Sequence, residues 1–133
     1  MMLHAKPNVS KDEYKMYKYV CSLNIVNIPK LIDYNEETRI MTTQKIPKMD
    51  IANIYSDDFN CVPSAITDMI RDTIEHLYNH NIVYPDITGY NFIYYKDKIW
   101  IIDFGHCRFK PKKLDPFVIK FIQGENSWNP EYK

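Results

Sequence analysis

The chain has 133 residues, 45% of them apolar and 26% charged. That is enough to bury one core and too little for two independent domains. Its 17 basic residues balance its 17 acidic ones, which excludes a general electrostatic grip on nucleic acid or on an anionic membrane surface, and no apolar run reaches membrane-spanning length.

The first six residues, MMLHAK, lack an apolar signal region, and the three cysteines, Cys21, Cys61 and Cys107, are far apart and odd in number. Both features predict a cytoplasmic protein with reduced thiols. The richness in Ile, Lys, Asn and Tyr points to an AT-rich genome such as that of a large virus or a parasite, in which case the compartment is the host cytoplasm.

Ser10 followed by Glu13 has the form of a capping box and predicts a helix over 11–23, with Tyr14, Tyr17, Val20 and Cys21 on one face. Residues 28–34 read as a strand entered through Pro29, 35–37 as a turn, and 38–46 as the returning strand. Pro47 ends that strand, and a short helix is expected over 49–55. Pro63 suits a first helical turn. The stretch 64–79 then places Ile66, Ile70, Ile74 and Leu77 on one face of a long amphipathic helix. His76 and His80 lie four apart on it, but without a third ligand they read as helix-end histidines meeting backbone carbonyls rather than as a zinc pair.

The most informative stretch is 83–108, VYPDITGYNFIYYKDKIWIIDFGHCR. Asp86 and Asn91 share one tight loop, so both side chains can face the same cleft. Two β-prone runs follow, 92–95 and 99–102, split by the polar Lys96-Asp97-Lys98. They predict a hairpin, which returns Asp103 to the neighbourhood of Asn91. One oxygen from each can then hold a hard cation such as Mg²⁺. Gly105 is expected to let the backbone turn sharply behind Asp103, and Trp100 to form core and cleft wall. The segment 108–113 is locally basic and reads as a solvated loop. A last helix is expected over 114–122, started by Asp115-Pro116. A loop follows over 123–133, with Phe117, Phe121 and Trp128 packing back on the core.

Asp86-Ile87-Thr88-Gly89-Tyr90-Asn91, the hairpin and Asp103-Phe104-Gly105 together resemble the catalytic core of protein-kinase-like phosphotransferases. They are closest to the compact atypical kinases: the kinase of the tRNA-modifying KEOPS complex and the aminoglycoside phosphotransferases. The resemblance covers roughly residues 5–108. It implies an α+β, reduced protein-kinase-like fold: a small N-terminal sheet and helix C over 1–46, and a helical lobe with the catalytic-loop hairpin over 47–133. It implies ATP and Mg²⁺ as cofactors, Asp86 as catalytic base, and Asn91 and Asp103 as metal ligands. Lys6 would hold the phosphates and Glu13 would pair with it. Gln44, Lys45 and Ile46 would meet the adenine edge, and Phe104 and Gly105 would complete the nucleotide-contacting set. Tyr84 stands where such kinases carry a histidine and is expected to fill its structural place.

No glycine-rich loop precedes Lys6 in the sequence. The main expectation is transfer of the ATP γ-phosphate to a protein hydroxyl or a small molecule. The alternative is a pseudokinase, a nucleotide-sensing or structural interaction module. An edge strand at the N-terminus also predicts a homodimer, or a partner chain that completes the small sheet.

Overall fold

The computed structural model describes residues 1–109 and 115–132. A three-stranded antiparallel sheet forms from β1 (Leu3–Lys6), β2 (Leu31–Asn35) and β3 (Ile40–Gln44), in the order β1-β3-β2. Helix α1 (Lys11–Leu23) packs against it. As the capping box requires, Ser10 Oγ accepts from the Glu13 amide at 3.1 Å. Asn24, in the left-handed region at φ 53°, ends the helix.

The β2–β3 pair differs from expectation at both ends. Residues 28–30 lie outside β2, although the Lys30 carbonyl still accepts from the Gln44 amide at 2.8 Å; just before it the chain serves other partners. The Asn27 carbonyl accepts from the Ile101 amide at 3.0 Å, and the Pro29 carbonyl accepts from Tyr17 Oη. The turn is wider than 35–37. Asn35 Oδ1 takes the amides of Glu37 and Thr38, at 2.9 and 3.0 Å, and Arg39 adopts φ 59°, so pairing resumes only at Ile40.

Helix α2 (Ile51–Tyr55) is capped by Asp50, whose carboxylate accepts from the Asn53 amide. Met49 therefore stays outside it. A 3-10 turn (Phe59–Cys61) leads through Pro63 into α3 (Ser64–Asn79), whose Ile66, Ile70, Ile74 and Leu77 are buried as their spacing dictates. Its end carries the two histidines. His76 Nδ1 meets the Asp72 carbonyl and His80 Nδ1 the His76 carbonyl. Among the described residues no group of three or more His, Cys, Asp and Glu side chains is gathered as a metal-binding cluster.

Strand β4 (Ile82–Val83) opens the loop of interest, a 3-10 turn (Gly89–Asn91) closes it, and β5 (Phe92–Tyr95) and β6 (Lys98–Ile101) form the hairpin. Its two-residue turn, Lys96-Asp97, has φ 51° and 60°. Two positive values are what a type I′ turn demands, matching the twist of the strands it joins.

Strand β7 (Arg108–Phe109) pairs with β4, so the start of the basic segment is strand rather than loop. The rest of that segment, 110–113, lies outside the described residues, as does Leu114 at the start of the expected last helix. Helix α4 (Pro116–Ile122) begins on Asp115, whose Oδ1 accepts from the amides of Phe117 and Val118. The tail carries a 3-10 turn (Pro130–Tyr132) within the expected loop.

One apolar core unites these parts. Tyr17 and Val20 of α1, Ile70 and Ile74 of α3, Phe92 and Ile101 of the hairpin, Phe121 of α4 and Trp128 of the tail all belong to it. Trp100 is only half-buried, bridges to Asn27, and donates Nε1 to the Tyr95 carbonyl at 3.2 Å. It braces the hairpin and does not line the cleft described below.

Candidate active site

A cleft of about 340 Å³ separates the sheet from the hairpin. Its sheet side presents Lys6, Thr43, Gln44, Lys45 and Ile46, and its hairpin side Asn91, Ile93, Ile102 and Asp103. The sequence-expected residues Lys6, Gln44, Lys45, Ile46, Asn91 and Asp103 thus converge there. Glu13, Asp86, Phe104 and Gly105 stand outside the lining.

Lys6 joins the two sides. Its Nζ lies 2.6 Å from Glu13 Oε2 on α1 and 3.2 Å from Asp103 Oδ1 after the hairpin. The pairing follows from local structure: β1 and the first turn of α1 are connected by four residues, so the capping-box glutamate falls beside the strand's last side chain. Burial alone would lower the Lys6 pKa. The Glu13 hydrogen bond and the charges of Asp103 and Glu13 outweigh it and hold the ammonium charged beyond its ordinary range.

The Asp86–Asn91 loop is stitched by its own backbone. The Ile87 amide donates to the Pro85 carbonyl at 2.8 Å and the Thr88 amide to the Asp86 carbonyl at 3.1 Å. Asn91 Nδ2 donates to the same Asp86 carbonyl at 2.8 Å. With its donor committed to the loop, Asn91 keeps a carbonyl oxygen at the cleft wall. The Ile102 amide donates to the Asn91 carbonyl at 3.1 Å, which brings Asn91 beside the chain that leads into Asp103.

Tyr84, the residue expected in a histidine's place, sits behind Asp103 and Phe104. Fully buried, it donates its hydroxyl to the Asp103 carbonyl and tilts edge-on against Phe104. Burial first, then the negative charges of Asp103 and Asp86, push its pKa well above the ordinary tyrosine range, so the hydroxyl remains a donor. Asp103 Oδ1 also accepts from the Gly105 amide at 2.8 Å.

Gly105 does stand in the expected sharp turn behind Asp103, closed by the Cys107 amide donating to the Phe104 carbonyl at 3.1 Å, but the turn does not use glycine's special φ range. Its backbone is outside the left-handed region; positive φ among the described glycines occurs at Gly124. What it supplies is space, since a Cβ there would stand 3.2 Å from Asp103 Oδ1 and 3.4 Å from Glu13 Oε1. Phe104 is a core residue, 1% exposed and edge-on to both Tyr17 and Tyr84. Its ring anchors the Asp103 loop from below and does not face the cleft.

Asp86 sits at the edge of this arrangement with its side chain 15% exposed. Burial raises its pKa, the Asn91 side-chain amide nearby opposes that, and the neighbouring Asp103 charge adds to it. His106 Nε2 lies 4.0 Å from Asp86 Oδ2, and its ring packs on Tyr132. Neither His106 nor the cleft-lining Tyr17, Met41 and Tyr90 was singled out for the site from sequence. Only His106, adjoining Asp103-Phe104-Gly105, carried any local signal.

The donor set suits a magnesium ion: an amide oxygen and a carboxylate, both oxygens, on one wall of the cleft. Among the described residues Asp103 Oδ2 makes no hydrogen bond or ion pair, so one of its oxygens is open to a cation.

A small sheet with one helix, a cleft, and a hairpin flanked by Asn91 and Asp103 define a reduced protein-kinase-like fold. The sequence matches the RIO domain over residues 4–108, and the chain belongs to that atypical kinase family. It is 29% identical over 111 residues to the EKC/KEOPS complex subunit BUD32 of Enterocytozoon bieneusi (strain H348), covering 75% of this chain and 54% of that protein. The chain thus spans about half the length of the curated relative it matches. In fold it is similar to the Cydia pomonella granulovirus kinase PK-1, with a TM-score of 0.57 and 16% identity over 80% of this chain and 42% of that one.

Proposed function

We propose that this chain transfers the γ-phosphate of ATP to a hydroxyl acceptor in the manner of an atypical kinase. The observation that carries the reading is Lys6, held between Glu13 and Asp103 at the cleft that also exposes Asn91. A cation fixed there meets the α- and β-phosphates, while the apolar walls from Met41, Ile93 and Ile102 and the chain at 44–46 receive the base. Asn91 and Asp103 would hold magnesium, which supplies positive charge to the phosphates when bound.

Asp86 orients the acceptor. Its oxygen accepts the hydroxyl proton as the hydroxyl oxygen bonds to the γ-phosphorus. The bond from that phosphorus to the β-bridging oxygen breaks, and ADP leaves with the electron pair. A carboxylate whose pKa is raised by burial takes a proton more readily than an exposed one.

Two features support a partner. The similar BUD32 protein is by name a subunit of a complex, and β1 is an edge strand with Met2 and Leu3 exposed. A second copy or another chain adding a strand at β1 would complete the small sheet. The three unpaired cysteines accord with a cytoplasmic setting.

Calorimetry with Mg·ATP on the parent and on Asp103→Asn tests the site. Micromolar, magnesium-dependent binding that the variant loses is the expected result. A parent that binds no Mg·ATP refutes the reading, and binding without any turnover would make the chain a nucleotide-sensing module instead.

A further inference from the structure

After α4 the tail runs back across the molecule to the Asp86 loop, and two anchors fix its course. Arg71 on α3 donates Nη1 to the Phe121 carbonyl and Nη2 to the Asn126 carbonyl, the latter at 3.0 Å. Its guanidinium lies over the rings of Phe121 and Phe59, 4.4 and 5.3 Å from their centroids. Trp128, 3% exposed, then packs edge-on to Phe59 and stacks on Phe92 at the base of the hairpin.

Asn129 follows, buried at 4% exposure. Its backbone amide donates to the Ile87 carbonyl at 2.8 Å. Its side-chain Nδ2 donates to the Pro85 carbonyl, also at 2.8 Å. Its Oδ1 accepts from the Glu131 amide at 3.1 Å and so sets the side-chain orientation. One residue therefore grips the two carbonyls that flank Asp86. The loop's internal hydrogen bonds fix its shape; they do not fix where it sits on the lobe. Asn129 contributes to that placement from the tail side, because the strap carrying it is bolted to α3 and to the hairpin, while Tyr84 and the Ile102–Asn91 bond tie the loop to the end of the hairpin.

We propose that Asn129 is a positioning residue for phosphoryl transfer, holding Asp86 in register with Asn91 and Asp103 through the Pro85 and Ile87 carbonyls. The inference rests on the role given to Asp86 above. The position demands both a short donor for the Pro85 carbonyl and an acceptor for the Glu131 amide. Asparagine offers both, whereas ionised aspartate keeps the acceptor and loses the donor.

The test uses the full chain, the variant Asn129→Asp, and Asn129→Ala, which removes only side-chain bonds and serves if the first fails to fold. Amide hydrogen exchange over 86–91 is measured beside Mg·ATP hydrolysis. Exchange in the loop should accelerate by about tenfold while amides of α3 and the hairpin keep parental rates. Turnover should fall by about tenfold to a hundredfold, with the KM for ATP within about twofold, since Asn129 does not line the cleft. Loop exchange at the parental rate, or equal acceleration throughout the chain, overturns the proposal. A parent that hydrolyses no ATP counts against the phosphotransfer reading alone, and the exchange data still decide whether Asn129 places the loop.

Discussion

Replacing Lys6 by methionine removes the cation that, among the described residues, lies between Glu13 and Asp103. The stem is kept roughly intact, so the loss is chiefly of charge. At 2.6 Å the attraction to Glu13 is about 6 kcal/mol for an effective dielectric of 20. Desolvation offsets much of it, because the Glu13 side chain is only 9% exposed and Lys6 27%. What the variant leaves is a buried Glu13 carboxylate that has lost its counter-charge among the described residues. Breaking a buried pair in this way costs about 3 kcal/mol, a fall in Tm of roughly 10 °C for a domain of this size. Glu13→Gln should cost less, about 1 kcal/mol, because Lys6 keeps Asp103 at 3.2 Å. In the double variant the stranded carboxylate is gone, so the effects should fall short of additive by about 1–2 kcal/mol. Urea unfolding followed by circular dichroism, run on all four proteins, measures that coupling. Additive single effects, within about 0.5 kcal/mol, would refute the ion pair as the joint between sheet and hairpin.

Asp86→Asn should lower ATP turnover by about 10²- to 10⁴-fold while raising stability at neutral pH. The sign follows from the raised pKa of Asp86. Folding favours its protonated form, so the side chain's stabilising contribution is complete below the usual carboxylate range and is lost as pH rises through the higher folded value. The variant's advantage in Tm should therefore shrink on acidification, and an advantage that grows toward low pH contradicts the burial argument. For the partner proposal, light scattering at high concentration should give twice the monomer mass if a second copy pairs at β1. A strict monomer removes that version and leaves a different chain as the occupant.

The parts legible in the sequence were those whose distance along the chain sets their distance in space. The capping box Ser10/Glu13, the apolar face of α3 and the Asp86–Asn91 loop depend on contacts within a few residues. The hairpin carries one longer link, and its turn residues encode that link locally. Element ends were less legible, because long-range partners decide them. Tyr17 and Ile101 engage the Pro29 and Asn27 carbonyls at the start of the expected strand, so β2 begins only at Leu31, and β4 recruits Arg108 into a strand. The turn at Gly105 follows from one residue's freedom and was legible, whereas the close approach of Asp103 and Glu13 to its Cβ position appears only once the chain is folded. The Asn129 grip spans 44 residues and carries no periodicity or motif that could announce it.

Asp86 is thus held from two directions by residues of different origin. Tyr84, two positions before it, reaches across to the Asp103 carbonyl and ties the loop to the far end of the hairpin. Asn129 grips the Pro85 and Ile87 carbonyls and ties the same loop to the tail. The Asp86 carboxylate is itself partly buried, and that burial is the leading cause of its raised pKa. A substitution that loosens either grip should let water in, return the Asp86 pKa toward the ordinary carboxylate range, and cost precision and proton affinity together.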